Sequence, residues 1–128
     1  MKKILLVDDA LRARLQLREI LDGRSGWRVL EARDGEAALA VLHGLEPPQA
    51  CVFGQGTGDG DGAGLLKRVR DEGERSPFLR RLPILLAVPA EEAEAVAAAS
   101  GLDPAYIVTR PFDAARVVAA VERALALG

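Results

Sequence analysis

The chain has 128 residues, 49% hydrophobic and 28% charged, with a formal net charge of −2. That length suits one domain with one core, and the charge gives no electrostatic case for nucleic acid as a partner. Its single cysteine, Cys51, excludes an intrachain disulfide framework and a metal cluster built on cysteine.

In chain order, short apolar runs alternate with helical spacings. Residues 3–7 predict a first strand that stops at Asp8 and Asp9. The apolar run is too short for a signal peptide or a membrane span, so a cytoplasmic location without membrane contact is expected. Ala13, Leu17, Ile20 and Leu21 recur at helical spacing over 12–21. A second strand is predicted over 27–32 and a second helix over 35–43, with His43 and the following Gly44 capping it. Residues 50–53 predict a third strand in which Cys51 packs as a small apolar side chain. Glycine then occupies every second position from Gly54 to Gly64. Asp61 is expected to cap a third helix over 63–70, which carries Leu66 and Val69 on one face.

Residues 84–88, behind Pro83, predict a fourth strand. Pro89 is placed as the first residue of the next helix, with Glu91, Glu92 and Glu94 at the positive end of its dipole. A short fifth strand is predicted over 106–108 and a last helix over 114–127, striped by Ala114, Val117, Val118, Val121 and Leu125. Five strand–helix repeats whose strands lack polar alternation predict a single α/β domain over 1–128, a doubly wound parallel sheet with helices on both faces. Right-handed crossovers bring the C-terminal strand ends to one edge, where such folds bind ligands. Asp8, Asp9, the glycine loop, Val88, Thr109 and Arg110 belong to that edge.

Adjacent carboxylates are costly to hold together, because like charges repel, and a hard divalent cation would relieve the repulsion. The plainer role for Asp8 and Asp9 is a turn and an N-cap for the first helix. With Ile4-Leu-Leu-Val-Asp-Asp9, the Asp61-Gly62 step followed by Leu65-Leu-Lys-Arg-Val-Arg70, Pro83-Ile-Leu-Leu86 and Arg110-Pro-Phe112, the chain resembles the receiver domains of two-component response regulators over nearly its whole length. The resemblance implies a flavodoxin-like sheet of strand order 2-1-3-4-5. It also implies phosphoryl transfer from a histidine kinase to an aspartate with magnesium, switching a partner-binding surface.

Carried over residue by residue, that pattern is depleted. Asp8 and Asp9 match the family's acidic pair and so are the candidate magnesium ligands. The acceptor aspartate, seven residues before Asp61, falls on Gly54, which has no side chain to serve as a nucleophile. The serine or threonine expected after strand four is Val88. The lysine before Pro-Phe is Arg110, whose planar fork does not replace a point charge. The aromatic switch position is Ile107, with Tyr106 one place away. Arg110 is expected to reach Asp8 or Asp9 as a bidentate pair in place of the metal.

The residues therefore predict a receiver-like signalling domain that is not an enzyme, has no certain cofactor, and binds another protein or a second copy without phosphorylation. The expected surface is the helix after strand four (with its small residues 93–99), strand five and the last helix. One alternative is a switch that accepts phosphate on a non-standard carboxylate such as Asp59 in the Gly56–Asp61 loop. Another is a small-anion or nucleotide site in the glycine loop at a helix N-terminus. Against the latter, no Gly-Lys-Ser/Thr triplet exists and Asp59 and Asp61 oppose an anion.

Overall fold

Strands β1 (Lys2–Val7), β2 (Trp27–Ala32), β3 (Ala50–Gly54), β4 (Ile84–Pro89) and β5 (Ile107–Arg110) form one parallel sheet in the order β2-β1-β3-β4-β5. The computed structural model describes residues 1–55 and 61–127. The helices are α1 (Leu11–Asp22), α2 (Gly35–Leu42), α3 (Gly62–Glu72), α4 (Pro77–Arg81), α5 (Ala93–Ser100) and α6 (Ala114–Leu127). This is the doubly wound, flavodoxin-like topology the sequence predicts.

Side chains on a strand alternate between faces, so each central strand supplies both cores. Leu5, Val7, Cys51, Phe53, Ile84, Leu86 and Val88 face one layer, where they meet α2, α3, α4 and α5. Ile4, Leu6, Ala50, Val52, Leu85 and Ala87 face the other, against α1 and α6. The α6 stripe buries Val117, Ala120, Val121 and Ala124. With few aromatics, this core is made of branched aliphatic and alanine side chains, and Phe53 is its largest fully buried member.

Two local expectations are corrected, and one helix is added. Pro89 ends β4 in an extended conformation (φ −60°, ψ 142°) instead of opening a helix. The chain passes through a 3-10 turn, Ala90–Glu92, before α5 begins. Tyr106 closes a 3-10 turn, Pro104–Tyr106, and β5 starts one residue later. Proline at the start of that turn and the Asp103 carboxylate, which accepts from the Ala105 amide at 2.9 Å, set this boundary. Helix α4 was not anticipated. Its signal is Ser76-Pro77: the serine Oγ accepts from the Leu79 amide at 3.2 Å and proline takes the first turn.

Candidate functional site at the C-terminal edge of the sheet

Register determines what the edge can hold. Val7 lies beside Phe53, Gly54 beside Ala87, and Val88 beside Thr109. Asp8 follows β1, and its amide donates to the Ala32 carbonyl at 3.2 Å. Arg14 reaches back from α1 to donate to the Asp8 carbonyl at 2.7 Å, and its Nε lies 3.1 Å from Glu31. The β1–α1 turn is thereby tied to β2.

The Asp8 side chain is buried, only 2% exposed, and its Oδ1 accepts from the Ala10 amide at 2.9 Å. Its carboxylate lies over Gly54. A β-carbon on Gly54 would fall 2.2 Å from Asp8 Oδ2 and 2.5 Å from its Cγ, well inside contact distance. Asp9, by contrast, is exposed. Among the described residues, no group of three or more histidine, cysteine, aspartate or glutamate side chains is placed to hold a metal ion. Asp8 turns its carboxylate over Gly54, the position at which the family resemblance places a further carboxylate of the cation site, and glycine supplies none.

Val88 is fully buried within the core layer that also holds Phe53, Leu86 and Val96. Arg110 donates from Nη1 to the Ala87 carbonyl at 3.3 Å and from Nη2 to the Gln55 carbonyl, and its guanidinium lies 6.0 Å from the Phe112 ring centroid. It clamps the ends of β3 and β4 through backbone oxygens. The ion pairs among the described residues do not join it to Asp8 or Asp9. The expected pairing gives way to topology: β5 lies three strand spacings from β1, roughly 14 Å, and the carbonyls of β4 and Gln55 come first. Ile107 packs with the α5 layer and Tyr106 with the α6 layer, so these neighbours address opposite faces of the sheet.

Asp61 caps α3, its Oδ1 accepting from the Gly64 amide at 2.9 Å. Gln55 and Asp61 form an antiparallel bridge, and the Gln55 side-chain oxygen accepts from the Ala63 amide at 2.9 Å. Gly62 packs its α-carbon against the end of β3: a β-carbon there would meet the Gly54 carbonyl oxygen at 2.7 Å. Gly56 and Asp59 lie outside the described residues.

An open depression of about 570 Å³ brings Asp8, Asp9, Gly54 and Asp61 together with Arg33, Asp34 and Arg68, which sequence reasoning did not include. Asp34 caps α2, accepting from the Ala37 amide at 2.9 Å, and Arg68 pairs with Glu36 at 3.3 Å across α3 and α2. Asp34 followed by Glu36 at a helix start was a legible capping signal; the Arg68 pairing was not, because it depends on how α2 and α3 pack. His43 caps α2, and its Nε2 lies 3.3 Å from a Glu72 oxygen on α3, away from this edge.

Comparison with known proteins agrees with this architecture. The model of the response regulator receiver domain matches residues 4–122. A putative response regulator from Chloroflexus aurantiacus superposes with a TM-score of 0.80 at 28% identity, over 98% of each chain. The receiver domain of NtrX from Brucella abortus gives 0.77 at 26% identity, over 98% of this chain and 99% of that one. A protein-glutamate methylesterase/protein-glutamine glutaminase from Rhodospirillum rubrum is 45% identical over 47 residues, which is 37% of this chain and 13% of that protein. No described helix is long and apolar enough to cross a membrane. The chain belongs to the response regulator receiver domain family, the signalling domains of two-component systems.

Proposed function

We propose that this receiver domain works as a protein-binding module without phosphorylation at the usual position. The observation that carries the reading is Gly54: the residue in register with the family's acceptor has no side chain, and the Asp8 carboxylate lies over it. Val88 offers no hydroxyl to a phosphoryl oxygen, and Arg110 spends its donors on backbone carbonyls. In this reading Asp8 and Asp9 bind magnesium weakly at most.

The binding surface we propose is α5, β5 and α6. Strand β5 is an edge of the sheet, α5 turns Ala95, Ala98 and Ala99 outward, and a cleft of about 310 Å³ between β5 and α6 is lined by Ile107, Thr109 and Arg116. Small side chains allow close approach of a partner backbone. The partner is another protein or a second copy of this chain.

The test is intact-mass measurement after incubation with magnesium and acetyl phosphate, paired with binding of beryllium fluoride followed by NMR. The expected result is an unmodified chain with an unchanged spectrum. A stoichiometric aspartyl phosphate, on residues 54–64 or elsewhere, overturns the proposal in favour of a switch with a non-standard acceptor.

A further inference from the structure

We infer that Asp8 is an internal occupant of the vacated acceptor position, a steric lock on the sheet edge instead of a metal ligand. This rests on the reading of Gly54 as the acceptor position and goes beyond it by assigning the volume that an acceptor side chain would fill. The contacts are specific. A β-carbon at residue 54 would meet Asp8 Oδ2 at 2.2 Å, Cγ at 2.5 Å and Cβ at 3.1 Å, so three atoms of one side chain cover that face. Real β-carbons do not approach other atoms to the first two of these distances, so any residue but glycine at 54 must displace the carboxylate.

Asp8 is not a long chain that can simply swing aside. It has two rotatable side-chain bonds, is 2% exposed, and is anchored by Oδ1 to the Ala10 amide at 2.9 Å. Its backbone is held on both sides, by the Ala32 carbonyl and by the Arg14 guanidinium. Displacing the carboxylate breaks the hydrogen bond that shapes the β1–α1 turn. Glycine at 54 and aspartate at 8 therefore form one unit: the smallest residue makes the room and the carboxylate fills it. The domain's edge is held in a single arrangement by its own side chain, with no need of a phosphoryl group or a cation to set it.

The test is a double-mutant cycle on thermal unfolding with Gly54→Ala and Asp8→Ser, the serine keeping an oxygen for the Ala10 amide. In the native background Gly54→Ala is expected to lower Tm by about 5 °C or more. In the Asp8→Ser background that penalty should fall by at least half. Equal penalties in the two backgrounds overturn the inference. If Asp8→Ser does not fold, the carboxyl 13C shift of Asp8 in the Gly54→Ala chain decides: a moved resonance supports the lock and an unmoved one overturns it. A chain that takes phosphate elsewhere yet keeps the coupling defeats the phosphorylation-independent reading alone. Loss of the coupling with no phosphate taken up defeats the lock alone.

Discussion

The carboxylate of Asp8 stands where a side chain on residue 54 would stand, 2.2 Å from the β-carbon position of Gly54. A pair that sequence alone presents as one half of a cation site and one missing nucleophile is, in three dimensions, a single packed contact.

Restoring the acceptor should not restore the chemistry. Gly54→Asp places a second carboxylate against Asp8 in a buried setting, where both crowding and like charge oppose it. The expected outcome is a Tm below that of the native chain and no acyl phosphate by intact mass after acetyl phosphate treatment. Full phosphorylation of this single variant would show that the edge remains open and the replacements at Val88 and Arg110 are immaterial.

Magnesium should leave stability nearly unchanged. A ligand that binds only the folded state raises stability by RT ln(1 + [L]/Kd), which is about 2.7 kcal/mol at a hundredfold excess over Kd. At 10 mM magnesium, the Tm is expected to move by less than about 1 °C. A rise of several degrees that disappears in Asp9→Asn would establish a working cation site.

Val88→Thr, which reinstates the family's hydroxyl, should destabilise the domain. Val88 is fully buried among Phe53, Leu86 and Val96. Burying a hydroxyl that finds no partner costs about 1–3 kcal/mol, read as a lower urea midpoint at constant slope. A neutral substitution would mean that the threonine finds a hydrogen bond at the end of β4.

Arg110 should behave as a structural clamp. Arg110→Ala leaves the Ala87 and Gln55 carbonyls without this donor. Hydrogen bonds from charged groups contribute about 1.5–3 kcal/mol, so urea unfolding should show a loss of that order. Arg110→Lys keeps the charge but not the fork and should fall between alanine and the native chain. If lysine and arginine are equivalent, the two-pronged contact is unimportant.

Cys51 should make alkaline stability pH-dependent. Burial pushes its thiol well above the ordinary value of 9.0, with the Arg70 charge opposing weakly, so the folded state holds a proton that the unfolded state releases. The thiol's contribution is fully present below pH 9.0 and is lost as pH rises from there toward the folded value. The slope is at most about 1.4 kcal/mol per pH unit. Cys51→Ala should flatten the fall in unfolding free energy above that pH, while native Cys51 should resist iodoacetamide until the chain unfolds. An unchanged slope in the variant would assign the alkaline loss to other groups.

The five strands, five of the six described helices, the parallel sheet and the edge that gathers Asp8, Gly54, Val88 and Arg110 were legible in local apolar spacing, because burial on both faces of a strand or one stripe of a helix is written directly into residue order. The short α4 and the ends of β4 and β5 were not, being set by proline and capping contacts. Capping by Asp61 was legible for the same reason, being a contact between residues three apart. Contacts between elements were not. Arg110 faces Asp8 and Asp9 only as a list of edge residues; the strand order puts two strands between them, and its donors go to Ala87 and Gln55. Tyr106 and Ile107 are neighbours in sequence, but a 3-10 turn sends them to opposite layers. The absence of a side chain at Gly54 is a fact of sequence. That Asp8 fills the space is decided by parallel pairing of β1 with β3, which sets residues 46 positions apart within contact distance of each other.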